Sequence, residues 1–130
     1  MSEQLPTDRE LQILGVLWAR GECTVREVYE ELRGQGEALA QNTVQAFLRL
    51  MTEKQLVTYR QQGRAFVYRA AVAQKRTRGQ LVSSLVQRAF DGAVDAMVQS
   101  AFDAKPPSEA ELQRLEELLM QHRAGKKKSR

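Results

Sequence analysis

Cysteine and histidine are almost absent from this chain of 130 residues: Cys23 and His122 are the only ones. A single cysteine excludes an internal disulfide framework and any multi-cysteine metal site. A single histidine near the C-terminus leaves little for imidazole catalysis. No apolar run approaches the roughly 18 residues of a membrane span. The opening MSEQLPTDRE has neither a basic n-region nor an apolar h-region, so a secretory leader is not expected and the cytoplasm is the expected location. HExxH, CxxC and glycine-rich phosphate loops are missing. Glu30 and Glu31 are neighbours on one helix and point apart, and Ser83-Ser84 has no basic partner close in sequence. Neither an enzyme nor a cofactor is expected, and no small-molecule ligand is evident. Cys23 precedes a helix cap, where a lowered thiol pKa is one outcome and simple burial the other.

What the chain does have is charge, unevenly placed. The net charge is +4. Residues 1–37 carry a net −4, residues 38–78 a net +7 with Glu53 as their only acid, and residues 79–130 a net +1. A local excess of that size over about forty residues suits a polyanion.

Punctuation divides the chain clearly. Thr7 with Glu10 forms a capping box, and Leu11, Leu14, Leu17 and Trp18 follow at helical spacing up to Gly21. Thr24 with Glu27 repeats the box ahead of Val25, Val28, Tyr29 and Leu32, and Gly34 and Gly36 end that helix. A third helix starts near Gln41 or Asn42, buries Val44, Phe47, Leu48 and Met51, and fades near Lys54. The period then changes to two in LVTYR (56–60) and AFVYR (65–69), with a turn at Gln61-Gln62-Gly63-Arg64. Three helices and a two-stranded hairpin make a winged helix, expected over residues 1–75. Leu81, Leu85 and Phe90, then Val94, Met97, Val98 and Phe102, then Leu112, Leu115 and Leu119 form three further apolar stripes, broken at Gly92 and Pro106-Pro107. Ser108 with Glu111 is a third capping box. Short helices with such faces rarely stand alone, so residues 76–123 are expected to dimerise, the alternative being that they fold back on the N-terminal domain. Residues 124–130, AGKKKSR, are expected to be a basic disordered tail. The fold class is thus mainly α with a small β wing: a winged helix-turn-helix domain followed by a helical dimerisation region.

The functional signal lies in residues 24–54. In a helix-turn-helix the second helix enters the major groove by its N-terminal part. Here that helix turns Gln41, Asn42, Gln45, Ala46 and Arg49 outward, with Thr43 at the edge. Asn42, Gln45 and Arg49 align at +3 and +4. Asn and Gln match adenine bidentately, Arg matches guanine or phosphate, and Ala46 suits a thymine methyl. Arg64, beside Gly63 at the hairpin tip, suits a backbone contact. Arg60 and Arg69 are read either as further contacts or as a solvated cross-strand pair. Two other classes fit less of this pattern: a winged-helix protein-interaction module, and a non-specific nucleic-acid-binding protein.

The runs LPTDRELQILGVLWARGECTVREVYEEL, NTVQAFL with EKQLV, and GRAFVYR resemble the BlaI/MecI family of penicillinase repressors over nearly the whole chain. The resemblance implies a homodimeric winged-helix repressor with a helical C-terminal dimerisation region, bound to pseudo-palindromic double-stranded operators. It also implies derepression through C-terminal cleavage linked to a membrane sensor protease. By the same resemblance Ala40, Gln41, Asn42, Thr43, Gln45 and Ala46 match the reading helix, and Gly63 and Arg64 the wing. Three departures stand out. Ala101-Phe102 falls where the family's cleavage position often reads Asn-Phe. The family's Arg-Leu pair and glycine turn at the end of the reading helix are matched by Leu50, Met51 and Gln55, with Arg49 one place earlier. The cysteine pairs of copper-responsive relatives are missing.

Overall fold

The computed structural model describes residues 5–128, with side chains through 126. In chain order the elements are α1 (Asp8–Arg20), β1 (Cys23–Thr24), α2 (Val25–Gly34), α3 (Gln41–Glu53), β2 (Val57–Gln62), β3 (Ala65–Ala70), α4 (Gln74–Phe90), α5 (Val94–Ala104) and α6 (Glu109–Lys128). The three strands form an antiparallel sheet in the order β1-β3-β2. Three helices with a β hairpin as wing make this a winged helix-turn-helix fold. The chain folds as two compact units, divided between Ser83 and Ser84 inside α4.

All three capping boxes form. Thr7 Oγ1 accepts from the Glu10 amide and Glu10 Oε1 accepts from the Thr7 amide, at 3.3 and 2.9 Å. Thr24 and Glu27 do the same for α2, and Ser108 and Glu111 for α6. Each box satisfies two backbone donors that a helix start leaves open. α1 ends at Gly21, whose φ of +84° suits glycine.

The first unit has its own core, built from Ile13, Leu14, Val16 and Leu17 of α1, Val28 and Leu32 of α2, Val44, Leu48 and Met51 of α3, and Cys23, Leu56, Val57 and Tyr68 around the sheet. The apolar face of α1 is broader than its Leu-Leu-Trp stripe implies, because Ile13 and Val16 are buried too while Leu11 and Trp18 are only partly so. Trp18 keeps its indole N–H at the rim, donating to the Val72 carbonyl at 2.9 Å. That bond ties the chain leaving β3 back to α1. Phe47 is likewise half-buried against the core rather than inside it.

The sheet differs from expectation in two respects. It has a third strand, because Cys23 and Thr24 pair with Tyr68 and Val67. The hairpin turn is also tighter: Gln61 pairs with Phe66 and Gln62 with Ala65, so only Gly63 and Arg64 connect the strands. Gly63 has a φ of +63°, as the first central position of a type II′ turn requires.

The end of α3 carries local strain. Gln55 adopts a φ of +64°. The Leu56 amide bonds to Met51 O and the Gln55 amide to Thr52 O, at 2.9 and 3.1 Å. These are the two bonds of a Schellman cap, whose left-handed residue is usually glycine. Gln55→Gly is therefore expected to raise stability by about 1 kcal/mol, read as a higher midpoint in urea denaturation with an unchanged slope.

In the second unit α4 ends where Asp91 and Gly92 both take positive φ, and α5 ends ahead of Pro106-Pro107. Among the described residues from 84 to 126, Val86 alone is buried. Of the residues expected at a dimer interface, Leu85, Val94 and Leu119 are exposed. Leu81, Phe90, Met97, Val98, Phe102, Leu112 and Leu115 are half-buried. α6 runs on to Lys128, where composition alone suggested a disordered tail from residue 124. Cations in a last helical turn interact favourably with the helix dipole. Ser129 and Arg130 lie outside the described residues. No helix among the described residues is long and apolar enough to cross a membrane.

Candidate nucleic-acid interface

α3 is positioned by contacts remote from its exposed face. Val44, Leu48 and Met51 anchor it in the core. The connection from α2 is pinned by Glu37, whose Oε1 accepts from Arg9 Nη1 and Gln12 Nε2, both at 3.0 Å. Those bonds, that from Gln12 foremost, hold the Glu37 carboxyl below its usual pKa. At the other end Lys54 Nζ donates to Glu10 Oε2 at 2.8 Å. Glu10 is only 2% exposed, and its other oxygen serves the α1 cap. Burial raises its pKa, but the bonds from Lys54 and the Thr7 amide outweigh that and leave it lowered.

With its apolar side fixed, α3 presents Gln41, Asn42, Thr43, Gln45, Ala46 and Arg49 to solvent, all of them exposed. Ala40 occupies the N-cap position and supplies no side-chain cap. The start of α3 thus lacks the hydroxyl that closes α1 and α2, and the Thr43 amide turns back to Ala40 O at 3.1 Å; such a helix start suits an anionic ligand. Among the described residues Arg49 forms no ion pair, although Glu53 lies one turn on; burial holds the Tyr68 pKa up, and the Arg49 charge opposes that shift.

The hairpin sorts its arginines differently from expectation. Arg64 is exposed at the tip beside Gly63. Arg60 is not a free cation: Nε and Nη2 both donate to the Glu22 carboxylate at 2.8 Å. Nor does it pair with Arg69, since Arg60 lies opposite Val67 and Arg69 opposite Thr58. Arg69 donates to Thr58 Oγ1 at 3.3 Å. The Arg60 bond lowers the Glu22 pKa, and the pair laces β2 to the residue before β1 across the intervening β3. Nothing in a sequence pattern links residues 38 positions apart.

Cys23 is wholly buried, and burial pushes its thiol pKa up, so the lowered value considered from sequence is not found. Among the described residues no group of three or more His, Cys, Asp or Glu could hold a metal ion. Ala101 is exposed and Phe102 half-buried, both within the regular turns of α5.

The sequence that builds this polar helix face and basic hairpin tip matches a known family. Its model, described as penicillinase repressor, matches residues 6–121. The chain belongs to the penicillinase repressor family. A curated relative is the penicillinase repressor of Bacillus licheniformis, 25% identical over 121 residues that span 93% of this chain and 94% of that protein. Two solved structures are also similar. One is the solution structure of the DNA-binding domain of the repressor BlaI, at 25% identity, a TM-score of 0.48, and coverage of 56% of this chain and 90% of that one. The other is the monomeric form of Bacillus licheniformis BlaI in complex with the blaP half-operator, at 24% identity, a TM-score of 0.48, and coverage of 57% and 89%.

Proposed function

We propose that this member of the penicillinase repressor family is a homodimeric, sequence-specific DNA-binding repressor. The observation that carries the reading is the exposed polar face of α3, with Asn42, Gln45 and Arg49 in line on a helix anchored by its opposite side. The N-terminal half of α3 lies in the major groove. Asn42 and Gln45 read base edges, Ala40, Gln41 and Thr43 lie beside the backbone, and Ala46 sits against a thymine methyl. Gly63 and Arg64 bring the hairpin tip to the flanking backbone. Arg60, held by Glu22, has a structural role. Two copies joined through residues beyond Ser83 place their reading helices on half-sites about one helical turn, or a multiple of it, apart. Occupancy of a pseudo-palindromic operator blocks transcription. Derepression by a sensor protease cutting at Ala101-Phe102 requires α5 to open first, because both residues are helical.

Asn42→Ala and Gln45→Ala test base reading. Each is expected to cost about 1–2 kcal/mol on the preferred duplex and to relax selection at one or two base pairs. Selection of bound duplexes from a random library, wild type beside variant, measures both. Equal losses on the preferred and random duplexes would remove these two residues from base recognition.

A further inference from the structure

Between α3 and the hairpin lies an open cleft of about 220 Å³ whose aromatic hairpin wall the assignment above leaves unused. One wall is α3, with Gln45, Arg49 and Glu53. The other is the sheet face that carries Tyr59, Phe66 and Tyr68. The rings form one cluster: Tyr59 meets Phe66 edge-on with centroids 5.1 Å apart, and Tyr68 at 5.6 Å. Tyr68 is buried and backs Tyr59, while Tyr59 and Phe66 stay 52% and 44% exposed. Exposed aromatic rings facing Arg49 suit an occupant with both apolar and anionic parts. Among the described residues Arg49 is the one cation lining the cleft and has no ion-pair partner, and it sits in the stretch that carries a net +7.

The geometry points to this cleft as the seat of one sugar–phosphate strand of the DNA duplex, with Arg49 and the Tyr59 hydroxyl on a phosphate and Phe66 against the deoxyribose. The inference rests on the DNA-binding reading and adds to it. A helix in the major groove and a hairpin over the neighbouring groove must straddle the strand that separates them. The space between them is then a backbone site and not a packing defect. Tyrosine hydroxyls and arginines are ordinary phosphate donors. Glu53, at the edge of the same cleft, opposes the strand and limits how tightly non-specific duplex is held.

Three variants of the full chain test this on a random duplex, which needs no knowledge of the operator. Tyr59→Phe keeps the ring packing and removes only the hydroxyl, and about a five- to tenfold loss of affinity is expected. Arg49→Gln is expected to lower the slope of log affinity against log salt by about one. Glu53→Gln is expected to tighten binding severalfold. A scan with single neutral methylphosphonates along a bound duplex should find a phosphate that matters to the wild type and no longer matters to Arg49→Gln. Unchanged affinity in Tyr59→Phe together with an unchanged salt slope in Arg49→Gln would overturn the seat while leaving DNA binding by α3 intact. A wild type that binds no duplex at all would instead overturn the DNA reading on which the seat rests.

Discussion

Removal of residues 91–130 is expected to leave a folded monomer whose affinity for a two-half-site operator has fallen about a thousandfold. Folding should survive because the core of the first unit lies between Ile13 and Tyr68, sealed by half-buried side chains no later than Val72. Nothing it requires comes from α5 or α6. Affinity should fall because two half-sites bound through one dimer gain an effective concentration that separate monomers lack, a gain of about 10²–10⁴. The second unit has the surface of something made to be covered. Val94, Leu118, Leu119 and Met120 are each more than half exposed, Met120 to 70%. Large apolar side chains left this exposed mark an interaction surface. Analytical ultracentrifugation settles the state of assembly, and Leu119→Glu in the full chain should dissociate the dimer without truncation. A truncated chain that still sediments as a dimer would place the interface within residues 1–90, in the winged helix or α4, and not in α5 or α6.

The second large effect concerns Lys54. Its ammonium group is the partner of Glu10 Oε2, and Glu10 is buried. Lys54→Met leaves that carboxylate without a counter-charge in the core of the first unit, and about 3 kcal/mol of stability should be lost at neutral pH. The loss has a pH signature. In the wild type the Glu10 pKa is lowered, so its contribution is present above the ordinary carboxylate pKa and disappears as pH falls through the folded value. In the variant the lowering by Lys54 is gone, and the same pKa moves up from its wild-type position. The gap between the two proteins is therefore widest near neutrality and narrows below about pH 4.5, the ordinary glutamate value. Chemical denaturation at pH 7 and at pH 4 measures it. A gap of the same size at both values would mean that the lost side-chain packing of Lys54, and not its charge, was responsible.

The parts of this fold that are legible in the sequence are those whose causes lie close together along the chain. Each capping box joins residues three apart, and all three form where the pattern places them. The exposed face of α3 also follows from local periodicity, because Val44, Leu48 and Met51 fix which side is buried. β1 has no such signature. Two residues have no period, and Cys23 and Thr24 become a strand only because β3 arrives beside them. The ion pairs that set the scaffold join residues 38 and 44 apart, so Arg60 reads as a free cation until Glu22 is seen next to it. The aromatic cleft lies between these extremes. Alternation along 57–62 and 65–70 already puts Tyr59, Phe66 and Tyr68 on one face of the hairpin. Only the packed structure puts Arg49 opposite them.

The most direct test of the DNA-binding reading is fluorescence anisotropy with the duplex lying upstream of this protein's own gene, against a scrambled duplex, at several salt concentrations. The account predicts preference by about a thousandfold or more and a steep fall of affinity with salt. Equal, weak binding to both duplexes at every salt concentration would contradict it.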